Sequence, residues 1–439
     1  MKEDFLYYVW KLQYFNKQDL RTFQGDKLVV LNPGTHNTQA GPDFLHSSIL
    51  INNITWHGHV ELHVCASAWH QHKHQLDPAY ENVVLHVVWE HDRSIHQQDG
   101  SPLPTLVLQG RVAPQLLQQY QELVDNQTAI PCANRFSQVA PIIKTAMSER
   151  ALFQRLTNKN NLVYQLLDKN QGNWEETAYQ LLAYNFGFKV NSNALLNLSL
   201  SLPLRIINKH TKNLLQLEAL LLGQADLLVA KTSAPDDYLD KLAKEYAYLA
   251  HKYQLKMSTL HQMQWKFFRL RPANFPTIRI AQLAQLLHQH PHIFYLLAHT
   301  PPADLYKQLA VTQSAYWQQH YQFGKPSKAN IPGLGKASIE NIMINTIVPL
   351  LVAYGKSKDE QVYIDQAMAL LQSLPAERNA ITSQWETLGM SVKSAFDSQG
   401  LIELFNNFCT KKKCLVCNIG GALMQRTMIS IPAPPEGQH

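Results

Sequence analysis

The stretch ITWHGHVELHV, residues 54–64, limits the possible folds more than any other part of the chain. Ile54, Trp56, Gly58, Val60, Leu62 and Val64 alternate with Thr55, His57, His59, Glu61 and His63. A period of two sends these sets to opposite faces of a strand. One buried and one polar face are therefore predicted. SSILINN at 47–53 reads as the strand before it, and Asn52-Asn53 has the composition of a tight hairpin turn. With that turn, paired residue numbers sum to 105, which sets Asp43 opposite Leu62 and beside Glu61.

The flanking segments predict the rest of a small domain. EDFLYYVWKLQYFN at 3–16 has helical spacing, and LVVLNPG at 28–34 is a strand closed by an Asn-Pro-Gly turn. SAWHQHKHQLDPAYEN gives one or two helical turns, and NVVLHVVWE at 82–90 is apolar enough for a central strand covered on both faces. TLVLQG at 105–110 gives a last strand, followed by a helix over about 114–124. Residues 1–130 thus form an α/β domain of order α-β-β-β-α-β. From 145 to 405 strand signals vanish and amphipathic helices dominate, among them TAMSERALFQRLTNKNNLVYQLLD, NWEETAYQLLAYNFGF and IRIAQLAQLLHQH, with a break near Thr300-Pro301-Pro302. A cysteine knuckle at 406–425 and a disordered tail at 426–439 complete a multidomain α+β chain.

Composition excludes little. The net charge of +6 on 439 residues permits nucleic-acid binding without requiring it. The N-terminus has no signal-peptide pattern, and no run nears the roughly 20 apolar residues of a membrane span. A cytoplasmic protein is expected. Five cysteines, three of them bunched at one end, do not form a secreted disulfide framework.

The candidate chemistry lies on the hairpin. Asp43 and Glu61 on neighbouring strands can share Mg²⁺ or Mn²⁺, and His63 shares a face with Glu61, where it can orient a water or a phosphate. Nine of the 20 histidines fall between His57 and His96, which also suits a zinc or iron hydrolase. Cys409, Cys414 and Cys417 are spaced to converge on one metal, with Cys132 as the fourth ligand. Structural zinc is expected there, with an iron–sulfur cluster as the alternative. Arg269, Arg271 and Arg279 stand among aromatics and can contact nucleic acid; the structural alternative is an aromatic seam with the arginines paired to acids such as Glu218 or Glu245. IPGLGKASIENI at 331–342 has the glycine pattern of a helix-hairpin-helix turn, though an ordinary helix start accounts for it. Lys411, Lys412 and Lys413 read as a solvated run.

Pro42-Asp43 and Glu61-Leu62-His63, in this order of elements, resemble the PD-(D/E)XK nuclease superfamily. The resemblance covers about residues 1–95. It implies a restriction-endonuclease-like fold, adds Glu3 of the first helix as a third acid, and implies phosphodiester hydrolysis. Histidine replaces the superfamily's lysine at position 63, and His70, His74 and Tyr80 stand where its Gln-x3-Tyr would be. His70 and His74 become candidate nucleic-acid contacts. One upstream and three downstream cysteines resemble the iron–sulfur staple of some of its members. NPGTHNTQAGPDF, WHGHVELHVCASAWHQHKHQLDPAYENVVLHVV, RPANFPTIRIAQLA and FCTKKKCLVC resemble uncharacterised bacterial proteins common among Bacteroidetes, the domain-of-unknown-function 2851 family, which brings no activity. The expected function is a metal-dependent nuclease. The alternative is a non-catalytic nucleic-acid- or protein-binding platform on a degenerate nuclease-like domain.

Overall fold

The computed structural model describes residues 2–229, 235–255 and 264–429. The chain divides into two compact units: residues 1–148 together with those from Leu404 onward, and residues 149–403 between them.

The first unit is built on a sheet. Helix α1 (Glu3–Leu12) precedes β1 (Leu28–Asn32), β2 (Thr35–His36), β3 (Phe44–Ile51) and β4 (Ile54–Cys65). A short helix α2 (Ala68–Gln71) and two 3-10 turns lead into β5 (Val83–Glu90), then β6 (Thr105–Val107) and helix α3 (Pro114–Asp125). The strands lie in the order β1-β3-β4-β5-β6, with β2 also on β3. The first three of that series are antiparallel; β4-β5 and β5-β6 are parallel. A parallel pair needs a crossover, which residues 66–82 provide. Phe5, Leu6, Tyr8, Val9 and Trp10 form the buried stripe of α1, and Phe5 stacks on Tyr120 of α3 at 4.8 Å.

The hairpin turn is where the sequence sets it. Asn52 and Asn53 both have positive φ, 47° and 68°, as a two-residue turn matched to strand twist demands. Ile51 pairs with Ile54, Ile49 with Trp56 and Ser47 with Gly58, each sum being 105. The register then slips, and Phe44 pairs with Val60. The extra residue is in the segment containing His46, whose φ is +58°. This bulge carries Asp43 past Leu62 and opposite Glu61.

The expected polar face of β4 is solvated only toward the hairpin tip, at Thr55 and His57. Glu61 and His63 are buried because the crossover turns fold across them. Ile54 and Trp56, expected inside, are exposed: β5 begins to pair only at His59, so the hairpin tip has one neighbouring strand. β5 is buried from Val83 to Val88, as its composition requires.

The second unit is helical around one large apolar core. The predicted segments are helices over Trp174–Phe186, Leu214–Gln224, Asp237–Tyr253 and Pro276–Gln289, and helix α4 (Pro141–Lys169) contains the boundary between units. One helix ends at His299 and the next begins at Pro302, at the expected break. A small hairpin, His320–Gln322 with Lys325–Pro326, interrupts a region expected to lack strands. The helical stretch Lys336–Lys358 is long and apolar enough to cross a membrane, but 67% of its apolar window is buried inside the protein. Gly333 is accounted for by packing, since a Cβ there would lie 2.5 Å from the carbonyl oxygen of Val311. The C-terminal helix runs from Asn418 to Ile429; the rest of the expected disordered tail lies outside the described residues.

Gly58 marks a close approach of the end of the crossover to β4. A Cβ there would lie 2.4 Å from the Asn82 carbonyl oxygen and 2.5 Å from Val84. Gly58→Val is therefore expected to destabilise the first unit by about 1–3 kcal/mol through overpacking. A lowered urea midpoint is the readout, and an unchanged one would show that the crossover yields freely.

Candidate metal centre on the sheet

Asp43 and Glu61 grip each other's strands. The Asp43 N–H donates to Glu61 Oε2 at 3.0 Å, and the Leu62 N–H donates to Asp43 Oδ2 at 3.0 Å. From α1, Glu3 and Tyr7 lie one turn apart and face the pair. The Tyr7 hydroxyl lies 3.5 Å from Glu3 Oε2 and hydrogen-bonds Asp43. Burial, then the charge of Glu61, pushes the Asp43 carboxyl up to about 7. Burial also raises Glu61 to about 8, against the hydrogen bond from Asp43.

The second oxygen of Glu61 faces histidines. Oε1 lies 3.3 Å from His74 Nε2 and 3.7 Å from His63 Nε2. His63 Nε2 is 3.2 Å from His72 Nδ1, and His63 Nδ1 is 2.8 Å from His86 Nε2. Among the described residues, His63, His72 and His74 are the group of histidine, cysteine or acidic side chains whose ligating atoms all lie within 4.8 Å of one another. Local structure fixes them. Lys73 takes a left-handed conformation that turns the chain into the 3-10 turn at His74, and the His74 ring stacks on Tyr80 at 3.8 Å.

Burial, then the neighbouring histidines His86, His74 and His72, pushes His63 down to about 2. Burial likewise lowers His86 to about 3 and lowers His74. Neutral imidazoles keep a lone pair for a metal. A neutral His63 that donates from Nδ1 to His86 presents its Nε2 lone pair to His72, His74 and Glu61. His86 is then the outer partner that fixes the ligand's tautomer. His74 Nε2 is buried with no hydrogen-bond partner, although it faces Glu61 Oε1. An orphaned nitrogen, two more imidazoles and a carboxylate oxygen suit a transition metal such as Zn²⁺ or Mn²⁺. Glu3, Asp43 and the other Glu61 oxygen form a hard-oxygen side suited to Mg²⁺ or Mn²⁺.

The structure thus joins Glu3, Asp43, Glu61 and His63, and it changes the part His63 can play. A residue held neutral cannot supply the permanent charge of a lysine. His74, expected on nucleic acid, is turned inward to Glu61; His70 lies outside the three-histidine group. His72, His86 and Tyr7 were not singled out in the sequence. The spacing His72-x-His74 beside an acid-bearing strand is the available signal for His72. Arg269, Arg271 and Arg279 belong to the other unit. Arg269 and Arg271 are exposed, whereas Arg279 is buried and bonds Gln282, Asn274 and Ser338 rather than Glu218 or Glu245. It also lies over the Phe188 ring, so its guanidinium serves packing and not an exposed phosphate contact. Cys132, Cys409, Cys414 and Cys417 are all buried in the sheet unit.

The sequence model of a family described as a protein of unknown function, DUF2851, matches residues 3–380. The chain belongs to the DUF2851 family. The match spans the sheet site and most of the helical unit and ends before the cysteines at 409–417. No curated protein and no solved structure matches this DUF2851 chain.

The paired carboxyls have a pH signature. Their values of about 7 and 8 exceed the ordinary 3.8 and 4.5. Raised carboxyls stabilise the fold fully below the ordinary values and lose that contribution as pH rises through the raised ones. His63 and His86 act with opposite sign, because below about 6.5 the unfolded chain binds the protons they refuse. The trends oppose each other from pH 4.5 to 6.5; from 6.5 to about 8 the raised carboxyls act, Asp43 and Glu61 together with Glu218 of the other unit, which burial raises to about 7. Metal-free protein is expected to lose thermal stability across that upper window. Asp43→Asn combined with Glu61→Gln should reduce the slope, leaving the part due to Glu218. A wild-type Tm that is already flat there would contradict the buried, protonated pair.

Proposed function

We propose that the sheet unit of this DUF2851 protein is a metal-dependent phosphodiesterase of the nuclease type, acting on DNA or RNA. The observation that carries the reading is the placement of Asp43 directly opposite Glu61 by the bulge, with Glu3 of α1 completing the acids. The strand order supports it: an antiparallel series followed by a helical crossover to a parallel strand is the layout implied by PD-(D/E)XK.

Glu3, Asp43 and Glu61 would hold the ion, with His63 and His74 as nitrogen ligands. A divalent ion in this position supplies Lewis acidity toward a phosphodiester oxygen and lowers the pKa of a water. Among the described residues no lysine or arginine forms an ion pair with Asp43 or Glu61. Neutralisation of substrate charge therefore falls to the ion. Tyr7 orients Asp43 and Glu3. His86 orients His63. His72, the exposed histidine of the three, stands on the solvent side. The mixed oxygen and nitrogen donors favour Mn²⁺ over Mg²⁺.

A second reading, a non-catalytic nucleic-acid- or protein-binding platform, draws on the neutrality of His63 where the superfamily carries a charged lysine. Wild type, Asp43→Ala, Glu61→Ala and His63→Gln incubated with Mn²⁺, Mg²⁺ or Zn²⁺ and single- or double-stranded DNA and RNA separate the two. Cleavage by wild type, reduced by about two orders of magnitude or more in both acid variants, is the expected result. Absence of cleavage on every substrate, with binding unchanged in the acid variants, would replace the nuclease reading by the platform.

A further inference from the structure

A second group of ligating side chains in the sheet unit is made of sulfur and is separate from the acids and histidines. Cys132 opens the 3-10 turn Ala133–Gln138, and Cys409 closes the π-helical turn Phe405–Cys409. Cys414 begins the turn Cys414–Val416, and Cys417 precedes the helix Asn418–Ile429. The two segments are fastened around these positions. Arg135 Nη2 donates to the Leu423 carbonyl at 3.4 Å, and the Asn418 N–H donates to Met147 Sδ at 3.3 Å. Lys412 Nζ donates to the Val124 carbonyl. Gly420 lets the last helix pack tightly: a Cβ there would lie 2.1 Å from the Cys414 carbonyl oxygen.

All four thiols are buried, at 8–9% exposure, and none is in a disulfide. Cys409 lies within electrostatic reach of Cys132, Cys414 and Cys417; Cys132 reaches Cys414 and Cys417, and Cys414 reaches Cys417. Every pair is therefore close, although Cys132 and Cys409 are far apart in sequence. A buried group of mutually close thiols, gathered from two ends of a unit, is a built ligand set.

The spacing between the thiols bears on the ligand. One tetrahedral zinc, with Zn–S near 2.3 Å, draws its sulfurs to about 3.8 Å from one another. Among the described residues no three cysteine sulfurs lie within 4.8 Å of one another, the limit that the three histidines satisfy. A centre containing several irons gives each thiolate its own metal and holds the sulfurs farther apart. We propose that Cys132, Cys409, Cys414 and Cys417 hold an iron–sulfur cluster that ties the C-terminal segment to the N-terminal part of its unit. As each thiol bonds an iron it releases one proton to solvent; a cluster of two ferric and two ferrous irons with four sulfides is bound at its own oxidation level, so no electron passes to or from the protein.

The test uses the full chain purified without air. Iron, acid-labile sulfide and zinc are measured per chain, together with the visible absorption of the sample. Several irons with matching sulfide, about four of each for a cubane cluster, are expected. The colour should be lost in Cys414→Ser and kept in Cys65→Ser, whose thiol lies on β4 outside this group. Stoichiometric zinc without sulfide would overturn the proposal. So would wild-type protein that stays colourless after anaerobic reconstitution with ferric and ferrous iron in equal amounts and sulfide. These wild-type measurements decide the question even if Cys414→Ser fails to fold. They are also independent of the nuclease reading, because Asp43→Ala and Glu61→Ala should keep the cluster.

Discussion

The reciprocal clasp between Asp43 and Glu61 is the constraint on which the sheet site depends. Each carboxylate accepts an N–H from the other's strand, so neither can move without releasing a buried backbone donor. The clasp requires the bulge after Phe44, because a hairpin of constant register would place Asp43 opposite Leu62. It also brings two acids together in a buried place. Two buried carboxylates without a basic partner cannot both stay ionised. They hold protons, or they hold a cation. The raised values of Asp43 and Glu61 are the metal-free form of that choice.

The histidines complete the same balance from the other side. Burial and mutual repulsion keep His63 and His86 neutral, so they cannot neutralise Glu61 by protonation. Metal-free, the centre holds acids that keep their protons and imidazoles that refuse them. Both kinds of group become ligands by losing or lacking protons, so ion binding is coupled to proton release from the acids. His74 shows the mismatch most plainly: its Nε2 faces Glu61 Oε1 at 3.3 Å and has no hydrogen bond.

Much of this frame is legible in the sequence. The alternation of residues 54–64, the Asn52-Asn53 turn and the apolar run at 82–90 specify a hairpin followed by a central strand covered on both faces, and the sheet follows that plan. The helical segments are similarly readable from their periodicity. The bulge is not, because the left-handed residue near it is His46 and not a glycine or asparagine that would announce it. The burial of Glu61 and His63 is also hidden, since alternation describes a strand face and not what later folds over it. Arg279 failed as a surface contact for a related reason: a guanidinium beside aromatics suits a phosphate or a packed amide-and-ring environment equally well, and only tertiary structure separates them. The C-terminal cysteines stand out in the sequence by their spacing, yet their approach to Cys132 depends on the chain returning to its first unit after residue 403.

The two proposed ligand sets in the sheet unit differ in the metals their donors would select. Oxygen and imidazole donors suit Mn²⁺ or Zn²⁺, whereas thiolates suit iron–sulfur clusters or zinc. Zinc is the one ion common to both lists. The histidine group, with ligating atoms inside 4.8 Å, has the compactness a single ion needs. The wider cysteine group does not match the small zinc tetrahedron. Spacing therefore discriminates between candidate metals at the proposed sulfur site where softness alone cannot. Their surroundings differ as well. The four cysteines are buried, whereas His72 is exposed and leaves the sheet site open to solvent on one side.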